Sequence, residues 1–363
     1  MQPTTAAPAA TGGFDALLPA NVLIVTGKGG VGKTTVAASL ALAGVASGRR
    51  TLLVEVEGRQ GFSRSFGTQP WDYQEREFRP GLWGAAIDPA ESVYEYLELF
   101  YGIKRVQWVM ERSNALDFVT TAAPGLRDLL LVGKLYEIEA RRRPDGRRAY
   151  DLIVVDAPPT GRIVPFLRAP DGVTDIVRAG PIRRQSAQIR EMLADPRRAR
   201  TVLVTTLEEM PVRETLESID ALSGAGLGIG PVIANQATVP RLDETMLAAL
   251  WEMGPDGLRS TVKNAGARMS GRTAEVTLDL ARAHQERREL ESQLDAELRA
   301  GTPTDVMTLP LLTGATFDAD DLALLADVLA LQVGEDGPRA EEELEDAALA
   351  AFLGGLGGPG TRP

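Results

Sequence analysis

The chain contains no cysteine. Disulfides, iron–sulfur clusters, thiolate metal sites and a cysteine nucleophile are therefore excluded. Histidine is almost as scarce. His284 is the single one, so no metal site can be built from paired histidines, and its charged neighbours predict a solvated position. No apolar run approaches the roughly 18 residues that a membrane span needs, so none is expected. The first 20 residues are rich in Ala, Thr and Pro and lack the basic start and apolar block of a secretory signal. They read as a disordered lead-in. A basic surface is missing too: 39 Lys and Arg against 50 Asp and Glu leave a net charge of −11. That balance argues against a constitutive nucleic-acid partner. The expected setting is the cytoplasm, with at most peripheral membrane contact.

What is abundant is glycine at one place. Val22 to Val25 is an apolar, β-branched run that reads as a buried strand. It runs into Gly27-Lys28-Gly29-Gly30-Val31-Gly32-Lys33-Thr34, which fits G-x-x-x-x-G-K-[ST]. A small, apolar helix pattern follows from Thr35. Glycines let successive backbone N–H groups converge on one anion, and the new helix adds its own unpaired N–H groups and the positive end of its dipole. Lys33 is then expected on the outer phosphates of a nucleotide, the Thr34 hydroxyl on Mg²⁺, and Thr35 near an inner phosphate. Gly27, Gly29 and Gly32 also fit the dinucleotide pattern G-x-G-x-x-G, with Glu55 ending the next strand. Lys33-Thr34 weighs against that alternative, because a dinucleotide turn needs neither a lysine nor a magnesium ligand.

With 363 residues, 44 % of them hydrophobic, the rest of the chain alternates strand and helix patterns. Strands are expected at 51–56, 82–88, 150–156, 201–205, 229–235 and 305–309. Together with the first they make about seven, in a doubly wound, mostly parallel α/β sheet. Helical insertions are expected near 90–145, 170–200 and 241–300, the last with Leu290, Leu294 and Leu298 as a buried stripe. Tyr150-Asp-Leu-Ile-Val-Val-Asp156 ends in a carboxylate, as the magnesium-side strand of phosphate-loop NTPases does. Pro158, Pro159 and Gly161 after it suit a loop that reports the terminal phosphate. Arg141 to Arg148 reads as a solvated basic loop. One ATPase unit is expected over 21–333, and 334–363 reads as an acidic, then Gly/Pro-rich mobile tail.

The extra lysine of Lys28-Gly29-Gly30-Val31-Gly32-Lys33-Thr34 resembles the deviant phosphate loop of the SIMIBI class of P-loop ATPases. Glu57 to Phe66, Ala86-Ile87-Asp88-Pro89, Pro124-Gly125 and Asp156 to Gly161 narrow the resemblance to the ArsA and guided-entry (tail-anchored protein targeting) family. Leu53 to Gly61 and Val155 to Arg162 look most like its actinobacterial anion-transporting ATPase subgroup. The resemblance implies an ATPase that uses Mg²⁺ and ATP. It implies Lys28 reaching across a dimer interface, Asp156 as the water-mediated magnesium carboxylate, and Glu57 orienting the attacking water. Asn235, with Pro310 and Leu311, would meet adenine. Glu57-Gly58 would form one switch, and Asp156, Pro159, Thr160, Gly161 and Arg162 the other. Three departures matter. Glu57 stands where the family has Asp, Gln60 and Arg162 stand where histidines are frequent, and the cysteines that bind zinc or arsenite are absent.

Two classes of function follow. One is a dimeric ATPase switch, a homodimer or a heterodimer with a paralogous ATPase, that opens and closes a helical surface for a hydrophobic or protein client. The other is a low-turnover nucleotide sensor or partner-recruiting module, motivated by Glu57. An anion-pump energiser ranks below both, and so does a MinD- or ParA-like partitioning ATPase, because the tail carries acidic Glu341 to Asp346.

Overall fold

The computed structural model describes residues 19–56, 60–88, 91–92, 125–176, 181–240, 242–312 and 317–332. The expected lead-in and tail, Glu57 and Gly58 of the first switch, and the helix pattern at Val93, Leu97 and Phe100 fall outside them.

Eight strands form one sheet: β1 Val22–Gly27, β2 Thr51–Val56, β3 Arg76–Arg79, β4 Leu82–Ile87, β5 Leu152–Asp156, β6 Ala199–Thr205, β7 Ile229–Ala237 and β8 Val306–Pro310. Their order is β3-β4-β2-β5-β1-β6-β7-β8. All neighbours run parallel except β3, which pairs antiparallel with β4. The expected doubly wound α/β class holds, with one strand more than the pattern suggested. β3 is the addition. Its sequence, Arg-Glu-Phe-Arg, is short and charged, carries a register shift and lies at the sheet's edge, where hydrophobic patterning is weakest.

The inner strands are buried on both faces, and their side chains alternate between two cores. Val22 and Ile24 of β1, with Leu52, Val54 and Val56 of β2, meet one set of helices. These are α3 Leu126–Ala140, α4 Thr160–Leu167, α6 Pro181–Ala194 and α7 Glu209–Gly224. Leu23, Val25 and Leu53 point the other way, onto α1 Lys33–Ala46 and α10 Ala319–Leu331. Such runs are near-continuous in apolar residues because both faces are covered. Each fully buried Leu or Ile contributes about 1.5–3 kcal/mol relative to exposure. The short helices α2 Gly61–Ser65 and α5 Ala169–Ile176 fill connections.

Two long helices, α8 Glu244–Asn264 and α9 Gly271–Gly301, pack on one another. α8 buries no residue and kinks at Gly254 (φ 60°, ψ −174°), just before Pro255. On α9 two of the three expected stripe residues face inward. Leu294 and Leu298 are buried, but Leu290 is 53 % exposed and Glu291 takes the inward position at 6 %. Each four-residue step advances about 40° around a helix, so 290, 294 and 298 drift off one face, whereas 291, 294 and 298 hold it. His284, expected to be solvated, is half-buried on the same helix.

The basic loop is also not simply solvated. Arg141 binds Glu137 through two N–H groups and Glu75 through Nη1 at 2.8 Å. Arg148 and Arg198 both pair with Glu139, whose side chain is 1 % exposed. Burial alone would raise the Glu139 carboxyl, but the hydrogen bonds of Arg198 and Arg148 outweigh it and hold the pKa below the ordinary value. Among the described residues no helix is long and apolar enough to cross a membrane.

Candidate functional site

The strand order reverses at β1, and ligands of open parallel sheets bind at the carboxyl ends of strands beside such a reversal. There β1 hands the chain to residues 28–32 and then to α1. Gly32 precedes α1 at φ 87°, in the left-handed region, and a Cβ on it would lie 2.3 Å from Asn235 Nδ2. A Cβ on Gly27 would lie 2.2 Å from the Val204 carbonyl oxygen. Two backbones and a buried amide thus meet where only glycine fits. On the outer side, ideal Cβ positions at Gly29 and Gly30 meet nothing within 4 Å, and both residues are exposed. α1 has no side-chain N-cap and no acidic residue in its first turn, so no side chain of its own competes with an anion for those N–H groups.

Around this cradle stand most of the residues singled out from the sequence. Val31 is buried and Thr35 half-buried in the first turn. Lys33 is 8 % exposed and donates from Nζ to the Lys28 carbonyl at 3.1 Å. Thr34 Oγ1 donates to Asp156 Oδ2 at 2.7 Å. Asp156 closes β5 level with Val25 of β1. A hydroxyl and a carboxylate at this distance are hard oxygen donors of the kind Mg²⁺ takes in ones and twos, keeping the remaining positions for water and phosphate. The donor set therefore fits that ion.

The segment after Asp156 is tied down. The Ala157 N–H reaches Val25 O at 2.9 Å, and Thr26 Oγ1 donates to Pro158 O at 2.7 Å. Pro159 caps α4, Thr160 and Gly161 open it, and Arg162 turns toward Asp128 of α3 at 3.5 Å. On the other side of β1, Asn235 is 3 % exposed and its Nδ2 donates to Val31 O at 2.9 Å. Pro310 ends β8 opposite Ala237, and the Leu311 N–H donates to Ala237 O at 2.8 Å. Pro310 is buried and Leu311 is 40 % exposed.

Two residues were not legible from motifs. Glu214 of α7 lies 3.4 Å from Lys28 Nζ through Oε2 and accepts the Thr160 hydroxyl through Oε1. It joins the phosphate loop to the start of α4, and no local pattern marks it. Gln236 has φ 61°, rare for a side chain of its size, next to Asn235. Glu55, named with the dinucleotide pattern, is 1 % exposed and accepts the Gly61 N–H at 2.8 Å. It lies level with Asp156 on the neighbouring strand. Gln60, also left-handed at φ 56°, exchanges two hydrogen bonds with the Trp71 backbone. Glu57 lies between Val56 and Gln60, outside the described residues.

The family model described as "Anion-transporting ATPase" matches residues 20–186, which includes the whole cradle, Glu57 and the Asp156 segment. The chain is 42 % identical over 285 residues to ATPase BagA of Mycobacterium tuberculosis, across 75 % of this chain and 83 % of that protein. It is 27 % identical over 261 residues to an arsenical pump-driving ATPase of Escherichia coli, across 65 % of this chain and 43 % of that protein.

Proposed function

Because the chain belongs to the anion-transporting ATPase family and is an ATPase, we propose that it works in the cytoplasm as a magnesium-dependent dimeric switch, in which ATP closes two subunits over a helical client surface. The observation that carries this reading is the position of Glu214, bound at once to Lys28 and to Thr160. A γ-phosphate arriving here repels the Glu214 carboxylate and loosens its hold on both groups. Lys28, released, reaches the partner subunit's phosphates, while Thr160 moves with the segment that begins at Asp156. Charge delivered to phosphate only in the closed state raises turnover by about 10³–10⁵-fold in comparable enzymes.

The other roles are those the family resemblance assigns. Lys33 and the amides of residues 28–34 hold the phosphates. Thr34 and Asp156 would hold a magnesium ion, which would neutralise phosphate charge. Glu57 orients the attacking water. Asn235, Pro310 and Leu311 meet the base. The client surface includes the α8–α9 pair, where Met246, Met253, Val276 and Leu280 are exposed. A paralogous chain can replace the second copy. With no cysteine present, the cargo is not bound through thiolates.

A second reading, a slow nucleotide sensor, rests on Glu57 standing where the family's usual residue is Asp. Steady-state ATPase assays and light scattering separate the two. The switch requires Mg·ADP·AlF₄⁻ to drive association, and it requires Lys28→Ala and Glu57→Gln to lower turnover toward a Lys33→Ala blank. Wild-type turnover equal to that blank favours the sensor. An unchanged mass with the analogue bound removes the dimer.

A further inference from the structure

Residues 235–238 hold the base-side wall in an unusual conformation. Gln236 is left-handed at φ 61°, and the β7–β8 register shifts between Ala234 and Ala237. A non-glycine residue at positive φ is strained and persists only where its surroundings over-determine it. Two of the restraints are already described: Asn235 on the Val31 carbonyl and Leu311 on the Ala237 carbonyl. The third comes from α9. Glu291, buried at 6 %, accepts the Thr238 N–H at 2.8 Å through Oε2 and the Thr238 hydroxyl at 2.7 Å through Oε1. Arg287, one turn earlier, donates from Nε to Glu291 Oε1 at 2.7 Å and to Thr238 Oγ1 at 3.2 Å. A carboxylate this far from water needs such donors, and hydrogen bonds to a charged group are roughly twice as strong as neutral ones.

We infer that Glu291 is a positioning residue for base recognition: by clamping Thr238 it holds Asn235 and Gln236 in the geometry that selects adenine, and so sets nucleotide preference from the helix that also carries α8. This rests on the reading of Asn235 as a base contact. The chain of contacts is short. Glu291 fixes Thr238, the bulged segment fixes Asn235, and Asn235 grips the loop whose Gly32 has no room for a side chain. Glu291 touches no nucleotide itself. Its loss is therefore felt in binding and selectivity more than in the chemical step.

The test is the steady-state KM and kcat of Glu291→Ala for ATP and GTP, with Thr238→Val beside it. The valine is close in shape to threonine, removes the hydroxyl's bonds to Glu291 and Arg287, and leaves the bond from the backbone N–H to Glu291. Glu291→Ala should raise KM for ATP about tenfold, the worth of one charge-assisted hydrogen bond. It should narrow the ATP:GTP ratio of kcat/KM by a similar factor, with kcat falling less than KM rises. Thr238→Val should move both in the same direction by a smaller factor. If Glu291→Ala is poorly folded, Thr238→Val alone decides. A folded Glu291→Ala with unchanged KM and ATP:GTP ratio, or with kcat alone reduced, overturns the inference. Asn235→Ala separates the two levels. If it leaves the ratio unchanged, the base-contact reading falls and this inference with it. If it narrows the ratio while Glu291→Ala and Thr238→Val do not, only the role of Glu291 falls.

Discussion

The two ends of the same parallel strands are built on opposite principles. At the amino ends, charge is densely compensated. Arg50, just before β2, lies 4.3 Å above the Trp83 ring, and Tyr150, just before β5, donates to Glu75 at 2.7 Å. Arg141 binds Glu75 and Glu137, and Arg198, just before β6, joins Arg148 on Glu139. At the carboxyl ends the chain offers glycine backbone, the hydroxyl–carboxylate pairs Thr34–Asp156 and Thr160–Glu214, and a long ion pair from Lys28 to Glu214 at 3.4 Å. The first end contributes stability because its partners stay together. The second presents exposed glycine backbone and one long ion pair to a phosphate that arrives from outside.

Substitutions at the two ends should therefore separate activity from stability. The largest effect is expected from Thr34→Val, nearly isosteric and confined to one hydroxyl. ATPase turnover should fall on the order of 10²-fold or more, while urea midpoints stay within experimental scatter. A comparable loss of stability would break the contrast. Next is Glu139→Ala, which strips the shared carboxylate from Arg148 and Arg198. It should cost roughly 2–3 kcal/mol in urea unfolding with little change in KM. Its pH dependence carries a sign. The folded pKa of Glu139 lies below the unfolded value near 4.5, so the contribution is present above pH 4.5 and disappears as pH falls through the folded pKa. Wild type and variant should converge in stability there; a gap that persists at the lowest pH would assign the effect to packing. The smallest change is expected from Arg162→Ala. Its 3.5 Å pair with Asp128 is on the site side and half exposed, so stability should move within about 0.5 kcal/mol.

What could be read from the sequence follows how local the determinants are. The cradle was legible because eight consecutive residues, Gly27 to Thr34, dictate its backbone, and the strand ending at Asp156 because four apolar residues and an acid are adjacent. The meeting of Lys28 with Glu214 was not. It depends on β1 and β6 being neighbours and on the phase of α7, which no short window encodes. β3 escaped because an edge strand needs no hydrophobic alternation. The inward turn of Glu291 in place of Leu290 was hidden because a buried carboxylate looks, in sequence, like the solvated ones around it. Its partner Thr238 stands 53 positions away.

β3 has a further implication for assembly. Its arginines and glutamate leave the outer border of the sheet charged, short and out of register, a combination that discourages another chain from zipping its backbone alongside. Copies of this protein cannot readily fuse into a continuous ribbon at that border. The charged border thus works against open-ended growth of the sheet on that side.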